Sequence, residues 1–280
     1  MRYGFVLPYG DARQAAELAV IAEQSGWDGF FVWEPVWGVD AWVALTAAAM
    51  RTERIRLGTM LTPLPRRRPW ELAGQVSTLD NLSGGRVILS VGLGAVHEGW
   101  RAFERDEGRR VRAGKLDEGL DILAGLWSGQ PFSYQGEHYQ VSETDFFVPA
   151  PPVQRPRVPV WVVGAWPRPQ SMRRSARWDG WLPNYIPKSD VEHTEGGRPP
   201  VPEFAKAVEW LRRERGGSLD GYDVVMEGFT PADDQQAAAD EVRPWAEAGA
   251  TWWLEANWGL AKDEVYAASV ARLEAGPPQL

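Results

Sequence analysis

Short apolar runs alternate with amphipathic segments along this chain, and glycine or proline usually stands between them. Residues 55–60 and 87–91 have the length and apolar character of buried parallel strands. Residues 70–82, which lie between them, carry apolar side chains at helical spacing, and Gly84 follows where a left-handed residue closes a helix. Two parallel strands joined by a helix form the repeating unit of an α/β barrel.

The same alternation continues to the end of the chain and predicts eight strand–helix units. The strands are predicted at residues 3–7, 29–33, 55–60, 87–91, 158–163, 180–182, 223–228 and 251–255. Residues 94–112 and 184–202 are polar and aperiodic and are interpreted as loops; a helix is predicted at 116–127 and an irregular excursion with a small hairpin at 128–154. We therefore predict an α/β fold, a TIM-type (β/α)8 barrel with an insertion after the fourth strand, as a single domain over residues 1–280.

Composition excludes several classes of site. The chain has no cysteine and only three scattered histidines, so disulfides, thiolate metal sites and cysteine nucleophiles are excluded and no metal site is expected. The net charge is −8 with no basic tail, which argues against nucleic-acid or anionic-membrane partners. The one basic run, Arg66-Arg67-Arg68, is interpreted as a solvated loop face. Without a spanning apolar run or a signal peptide, a cytoplasmic location is the default expectation.

Three segments in the same order resemble the luciferase-like monooxygenase family, the bacterial luciferase-type flavin-dependent oxidoreductases. They are LGTMLTPLPRRRPWELAGQVSTLDNLSGGRVILSVGLG at 57–94, LDEGLDILAGLWSGQPFSYQGEHY at 116–139 and VPVWVVGAWPRPQSMRRSARWDGWLP at 158–183. The resemblance implies an enzyme with a flavin cofactor and a small hydrophobic organic substrate. Reduced FMN that activates oxygen for monooxygenation is slightly favoured over hydride transfer by the deazaflavin coenzyme F420. Relatives often dimerise, so a homodimer is a further expectation.

In an α/β barrel the active site lies at the carboxyl ends of the strands. Gly164, Ala165, Trp166 and Arg168 are predicted to follow a strand and lead into a helix, where free N–H groups and an arginine suit an anion. The resemblance implies that this unit holds the flavin phosphate. An ordinary strand–helix turn with an exposed arginine is the alternative.

Other strand ends are predicted to contact the cofactor ring. The resemblance implies that Thr59, Met60 and Leu61 form a bulge, often with a non-prolyl cis peptide, that supports one face of the flavin. Gly92 and Gly94 are interpreted as a glycine wall that lets the ring approach, because a Rossmann motif would need a third glycine where His97 stands. Aromatic residues near strand ends predict an apolar pocket: Trp33, Trp37, Trp166, Trp181 and Trp258.

Glu34 is the predicted catalytic residue. Many relatives have an Asp-His pair after the second strand, and the matching positions here are Glu34 and Pro35. Proline cannot replace the proton chemistry of histidine, so Glu34 is the candidate proton donor, with a rim carboxylate as the alternative. Two other classes stay open: a hydrolase with paired carboxylates among Glu34, Glu227 and Glu255, and a non-catalytic flavin-binding barrel.

Overall fold

The structure is a computed structural model, and it describes residues 1–96, 98–129, 131–144, 150–187 and 197–280. The strands are β1 (Arg2–Leu7), β2 (Gly29–Val32), β3 (Arg56–Thr59), β4 (Thr62–Pro63), β5 (Val87–Gly92), β6 (Phe132–Gln135), β7 (Gln140–Thr144), β8 (Val160–Trp166), β9 (Gly180–Tyr185), β10 (Asp223–Gly228) and β11 (Trp252–Glu255). The helices are α1 (Ala12–Gln24), α2 (Ala41–Ala49), α3 (Pro69–Ser83), α4 (Glu98–Arg101), α5 (Arg109–Ser128), α6 (Pro169–Ala176), α7 (Val201–Glu214), α8 (Gln235–Glu247) and α9 (Val265–Glu274). Within these ranges, no helix combines the length and the apolar character needed to cross a bilayer.

Parallel strands close into one barrel, which confirms the predicted fold class. Their order around the barrel is β1, β2, β3 with β4, β5, β8, β9, β10 and β11, and β11 pairs back to β1. The predicted insertion lies between β5 and β8 and includes α4 and the antiparallel hairpin β6–β7. The carboxyl ends of all barrel strands therefore meet at one rim, where the candidate site lies.

Three predicted boundaries are wrong. Residues 94–112 are not a continuous loop, because α4 forms within them and α5 begins at Arg109, seven residues before the predicted helix. The fifth barrel strand does not end at Val163; β8 runs on to Trp166, paired with β9. The predicted 184–202 loop loses its first residues to β9, which ends at Tyr185, while residues 188–196 of this loop lie outside the described part of the chain, as does His97.

The third barrel strand is interrupted by the predicted bulge. Gly58 pairs with Ile88 of β5, and Thr62 pairs with Val91 of the same strand. The third strand therefore advances four residues where β5 advances three, so it contains one extra residue. The Met60–Leu61 peptide within this bulge is cis, as the family resemblance implies. The extra residue turns the chain at the cavity rim and divides β3 from β4.

Three aromatic rings fill the barrel interior. Phe31 stacks on Trp161 at 5.4 Å between ring centroids, and Trp252 meets both edge-on at 6.2 and 5.2 Å. Glycines stand on the strands around Phe31, because a β-carbon at Gly4, Gly29 or Gly58 would lie within 2.8 Å of its ring. A separate apolar core, here called the outer core, lies between the strands and the surrounding helices. The interior is therefore solid below the rim, and ligand space begins above this aromatic cluster.

Candidate active site

A cavity of about 850 Å³ opens at the carboxyl ends of the barrel strands. Its apolar wall includes Tyr9, Trp33, Met60, Leu61, Leu182 and Trp258. Two carboxylates, Glu34 and Glu227, face it, and so do four arginines: Arg66, Arg109, Arg112 and Arg174. A volume of this size, mostly apolar with a few charged groups, is typical of a small-molecule or cofactor site.

The structure brings most of the predicted residues to this cavity. Those that line it are Trp33, Glu34, Met60, Leu61, Gly92, Gly94 and Ala165. Thr59 is fully buried beside the bulge, and its hydroxyl lies 2.9 Å from that of Thr62. Of the five rim tryptophans, only Trp33 and Trp258 line the cavity, whereas Trp37 is 81% exposed.

Gly164 and Trp166 lie within β8 rather than in the predicted strand-to-helix turn, whereas Arg168 does lie in that turn. Gly164 lies inside β8, and a β-carbon there would meet the Trp181 ring at 2.6 Å, on the face that packs against helices. The Trp166 indole donates to Glu203 on α7 at 2.9 Å and packs in the outer core. Arg168 directly precedes α6 and is not a lining residue. Their assignment as phosphate ligands stays a prediction, and only Ala165 of the set borders the cavity.

The cavity side of α6 is instead formed by Ser171 and Arg174, which sequence reasoning did not select. The Ser171 hydroxyl accepts the Ala165 N–H at 2.9 Å, which fixes the end of β8 against the helix. Arg174 forms a two-bond pair with Asp117 of α5, with Nη2 at 2.8 Å from Oδ2. The i, i+3 spacing of these two residues on a helix is the signal that could have placed both on one face.

Arg66 and Arg112 are fixed around one tryptophan. Their guanidinium carbons lie 4.1 and 5.5 Å from the Trp100 ring centroid, and both donate to backbone carbonyls of the loop after β5. Arg112 also pairs with Asp106 at 3.2 Å. Cation–π contacts and carbonyl bonds hold both arginines in place before any ligand binds. The interpretation of residues 66–68 as a solvated face is therefore wrong for Arg66.

Arg109 differs from the other cavity arginines. It is the first residue of α5, and no acidic group among the described residues lies within salt-bridge distance of it. Partial burial lowers the pKa of its guanidinium, and the nearby charges of Arg112, Arg168 and Arg174 lower it further. Unpaired positive charge at a helix N-terminus favours an anionic ligand.

Glu34 is held at both oxygens. Its side chain is buried, with Oε2 accepting from the Thr62 hydroxyl at 2.6 Å and Oε1 lying 3.1 Å from Nη1 of Arg67. Burial raises the pKa of the Glu34 carboxyl, and the Arg67 charge and the Thr62 hydrogen bond oppose this shift. Glu34 thus joins the end of β2 to the bulged third strand, and Arg67 is a structural partner rather than a solvated residue.

The paired-carboxylate arrangement does not include Glu255. This residue is 1% exposed and accepts from the Thr230 N–H and hydroxyl, both at 2.7 Å, while Arg272 lies at 3.5 Å. It does not line the cavity, so only Glu34 and Glu227 of the three candidates meet there. Among the described residues, no group of three or more acidic or histidine side chains is placed to hold a metal.

Three known proteins that are similar to this chain in sequence or structure have oxidoreductase names. The chain is 29% identical over 252 residues to an F420-dependent glucose-6-phosphate dehydrogenase of Nakamurella multipartita, covering 83% of this chain and 68% of that protein. An F420-dependent tetrahydromethanopterin reductase of Methanopyrus kandleri superposes with a TM-score of 0.73 at 19% identity, covering 98% and 97% of the two chains. A monooxygenase of Streptomyces bottropensis gives 0.70 at 18% identity, covering 98% of each chain. At these identities the structural matches establish the fold alone. Because the family model for luciferase-like monooxygenases matches residues 3–276, the chain belongs to that family.

Proposed function

We propose that this protein is an F420-dependent oxidoreductase that transfers hydride between the coenzyme and a small organic substrate in the cavity. The observation that carries the proposal is the arginine-rich end of the cavity beside an apolar, glycine-lined wall. The named glucose-6-phosphate dehydrogenase relative supports the choice of coenzyme. The slight preference for FMN that the sequence resemblance suggests is therefore reversed in this proposal.

The residues present fit a flavin-type ring. Met60 and Leu61 of the bulge and Gly92 of β5 line one side of the cavity, with Trp33 on β2's side. A β-carbon at Gly92 would come within 3.0–3.2 Å of Val163 and Leu61. Because glycine has no side chain, a ligand can approach the backbone closely at this position. Apolar side chains and a backbone that a ligand can approach closely suit a flat aromatic ring, which needs contact area more than polar partners.

The charged end fits a polyanionic tail. FMN ends in a single phosphate, whereas coenzyme F420 carries a phosphodiester followed by glutamate residues, and so has several negative charges. Arg66, Arg109, Arg112 and Arg174 gather at this end, and Arg109 lacks an acidic partner in the described part of the chain. Arginine forks bind phosphate and carboxylate oxygens with charge-assisted bonds. The arginine group supports F420 over FMN.

The bound coenzyme would supply the hydride chemistry, and the protein would supply positioning and proton transfer. The apolar wall of the cavity would limit water around the reacting centre once the ligands are bound. Glu34, fixed by Thr62 and Arg67, stays the candidate proton donor that the sequence suggests, or a positioning group at the end of β2. A carbon that bears both hydrogen and hydroxyl is the substrate group that hydride transfer with a proton acceptor requires.

FMN-dependent monooxygenation is the second candidate, supported by the family itself and by the fold match to a monooxygenase. Binding of F420 and of FMN, each followed by fluorescence over a series of salt concentrations, separates the two. We expect F420 to bind more tightly at low salt and to lose affinity more steeply as salt rises, because more charge pairs are screened. Equal or tighter FMN binding with a shallow salt dependence would contradict the F420 proposal. Binding of neither would favour the hydrolase or the non-catalytic barrel.

A further inference from the structure

Glu227 lines the cavity and has one carboxylate oxygen without a hydrogen-bond partner among the described residues. It is near the end of β10 and lines the site. Its Oε2 atom is fully shielded from solvent and has no hydrogen-bond partner among the described residues. A buried acceptor without a partner costs free energy, so it is kept only where something else recovers that cost.

The position of Glu227 within the barrel is informative. The bulged third strand and β10, the seventh, are four positions apart in a ring of eight. Glu227 and the Met60–Leu61 bulge therefore face each other across the cavity. If a cofactor ring lies against the bulge, as the proposed function has it, the substrate occupies the remaining space on the side of Glu227.

The groups around Glu227 leave its carboxylate available. Arg198 carries the nearby positive charge, but it donates to Glu241 at 2.8 Å and lies 4.3 Å from the Trp245 ring centroid. Trp258, after β11, lines the cavity as well, and its indole lowers the pKa of Glu227. On the neighbouring strands, β9 brings the uncharged Asn184 to the cavity, and Glu255 of β11 is occupied with Thr230.

The two cavity carboxylates are thus in different states. Glu34 accepts from Thr62 and faces Arg67, so both of its oxygens are engaged by fixed protein donors. Glu227 has one oxygen with no such donor. A carboxylate is free to exchange a proton with a substrate when fixed protein donors do not occupy both of its oxygens. This contrast assigns positioning to Glu34 and proton transfer to Glu227.

We propose that Glu227 is the catalytic residue that exchanges a proton with the substrate hydroxyl, an inference that rests on the proposed hydride-transfer function. In the oxidative direction the C–H bond breaks and its electron pair leaves with the hydrogen for the coenzyme. The O–H bond of the hydroxyl on that carbon also breaks, its proton passes to Glu227, and the carbon and oxygen form a carbonyl. In the reductive direction protonated Glu227 returns the proton to the developing alkoxide.

Protonation of Glu227 sets the direction of the expected pH effects. Burial raises the pKa of the Glu227 carboxyl, and the Trp258 hydrogen bond and the Arg198 charge oppose this only in part. Ionisation of Glu227 is therefore less favourable in the folded protein than in the unfolded chain. The contribution of Glu227 to stability should fall as pH rises from the ordinary glutamate pKa through the raised one. Alcohol oxidation, which needs the ionised form, should accelerate over the same interval.

The first test needs no substrate. We expect Glu227→Gln to raise the melting temperature of the free protein relative to wild type, by a margin that grows as pH rises above the ordinary glutamate pKa of about 4.3. Glu247→Gln, an exposed residue at the end of α8, is the matched control and should show no pH-dependent margin. A margin for Glu227→Gln that does not change with pH would overturn the proposal, because Glu227 would then titrate as an ordinary surface acid.

The second test follows single-turnover reduction of pre-bound oxidised F420 by glucose 6-phosphate or propan-2-ol. Glu227→Gln should bind F420 as wild type does, react roughly 10² to 10⁴-fold more slowly, and lose the rise of rate with pH. The same losses in Glu34→Gln but not in Glu227→Gln would overturn the assignment in favour of Glu34. Failure of the wild-type protein to bind F420 would instead sink the proposed function, and this result comes from wild type before any variant is made.

Discussion

Replacing Arg109 by alanine is expected to weaken F420 binding by roughly 10- to 150-fold, the effect of losing a hydrogen bond to a charged group. Arg109 begins α5, faces the cavity, and has only positive neighbours to shift its pKa. A coenzyme phosphate or carboxylate would supply its missing counter-charge. Because Arg109 has no described acidic partner to lose, the melting temperature without coenzyme should stay near that of wild type.

Arg110→Ala is the matched control, since this next residue is exposed as Arg109 is but does not line the cavity. The affinity difference between the two variants should shrink at high salt, because screening weakens the charge pair that only Arg109 makes. Fluorescence titration at two ionic strengths measures both effects. Equal losses of affinity in the two variants would show a general charge effect, and the anion site would have to be sought elsewhere on the rim.

The barrel itself was predictable because its physical cause is local. Parallel strands that are buried on both faces must be apolar throughout, and residues 87–91 show this directly in the sequence. The helices between strands carry their own spacing and end signals, such as Gly84 in the left-handed conformation after α3. Local pattern of this kind survives folding unchanged.

The arginine end of the cavity was not predictable in the same way. The first turn of α5 reads RRVR and buries only Arg112 of these four residues, so hydrophobic periodicity gives no sign that a helix begins there. Arg66, Arg109 and Arg174 come from three distant segments that only the barrel topology brings together. Gly164 misled for the opposite reason: a glycine usually signals a turn, but here it makes room for Trp181 within a continuing strand.

The three strand-end glutamates show the same limit for chemistry. Each of the three lies at or near the carboxyl end of its barrel strand: Glu34, Glu227 and Glu255. Burial raises the pKa of each carboxyl. What separates them is the partner that tertiary structure supplies: Arg67 and Thr62 for the first, Thr230 and Arg272 for the last. The sequence identifies candidates, and the hydrogen-bond partners assign their roles.

Phe31→Ala is expected to destabilise the barrel by about 3–5 kcal/mol, the range for removing a large buried aromatic side chain. The ring is fully buried between Trp161 and Trp252. Gly4, Gly29 and Gly58, which lie against the ring, have no side chains that could move into the space. Chemical denaturation, with the slope checked for two-state behaviour, measures the loss.

A second substitution tests whether the cost is the unfilled space. Gly29→Ala alone should destabilise by roughly 1–3 kcal/mol, because its β-carbon would lie 2.7 Å from the Phe31 ring. In the Phe31→Ala background that clash is gone, and the remaining contact to Trp252 at 3.1 Å needs only a small shift. The two changes should therefore cost less together than their sum, with a coupling of about 0.5–3 kcal/mol.

Gly58→Ala is the matched control for this rescue. Its β-carbon would lie 2.5 Å from the backbone oxygen of Ile88 as well as 2.8 Å from the Phe31 ring. Removing the ring leaves the backbone clash in place, so Gly58→Ala should stay destabilising in the Phe31→Ala background. Rescue by both alanines, or by neither, would mean that the glycines serve backbone geometry rather than the packing of Phe31. Rescue by Gly29→Ala alone would show that these strand glycines are set by the aromatic rings on which the cavity floor rests.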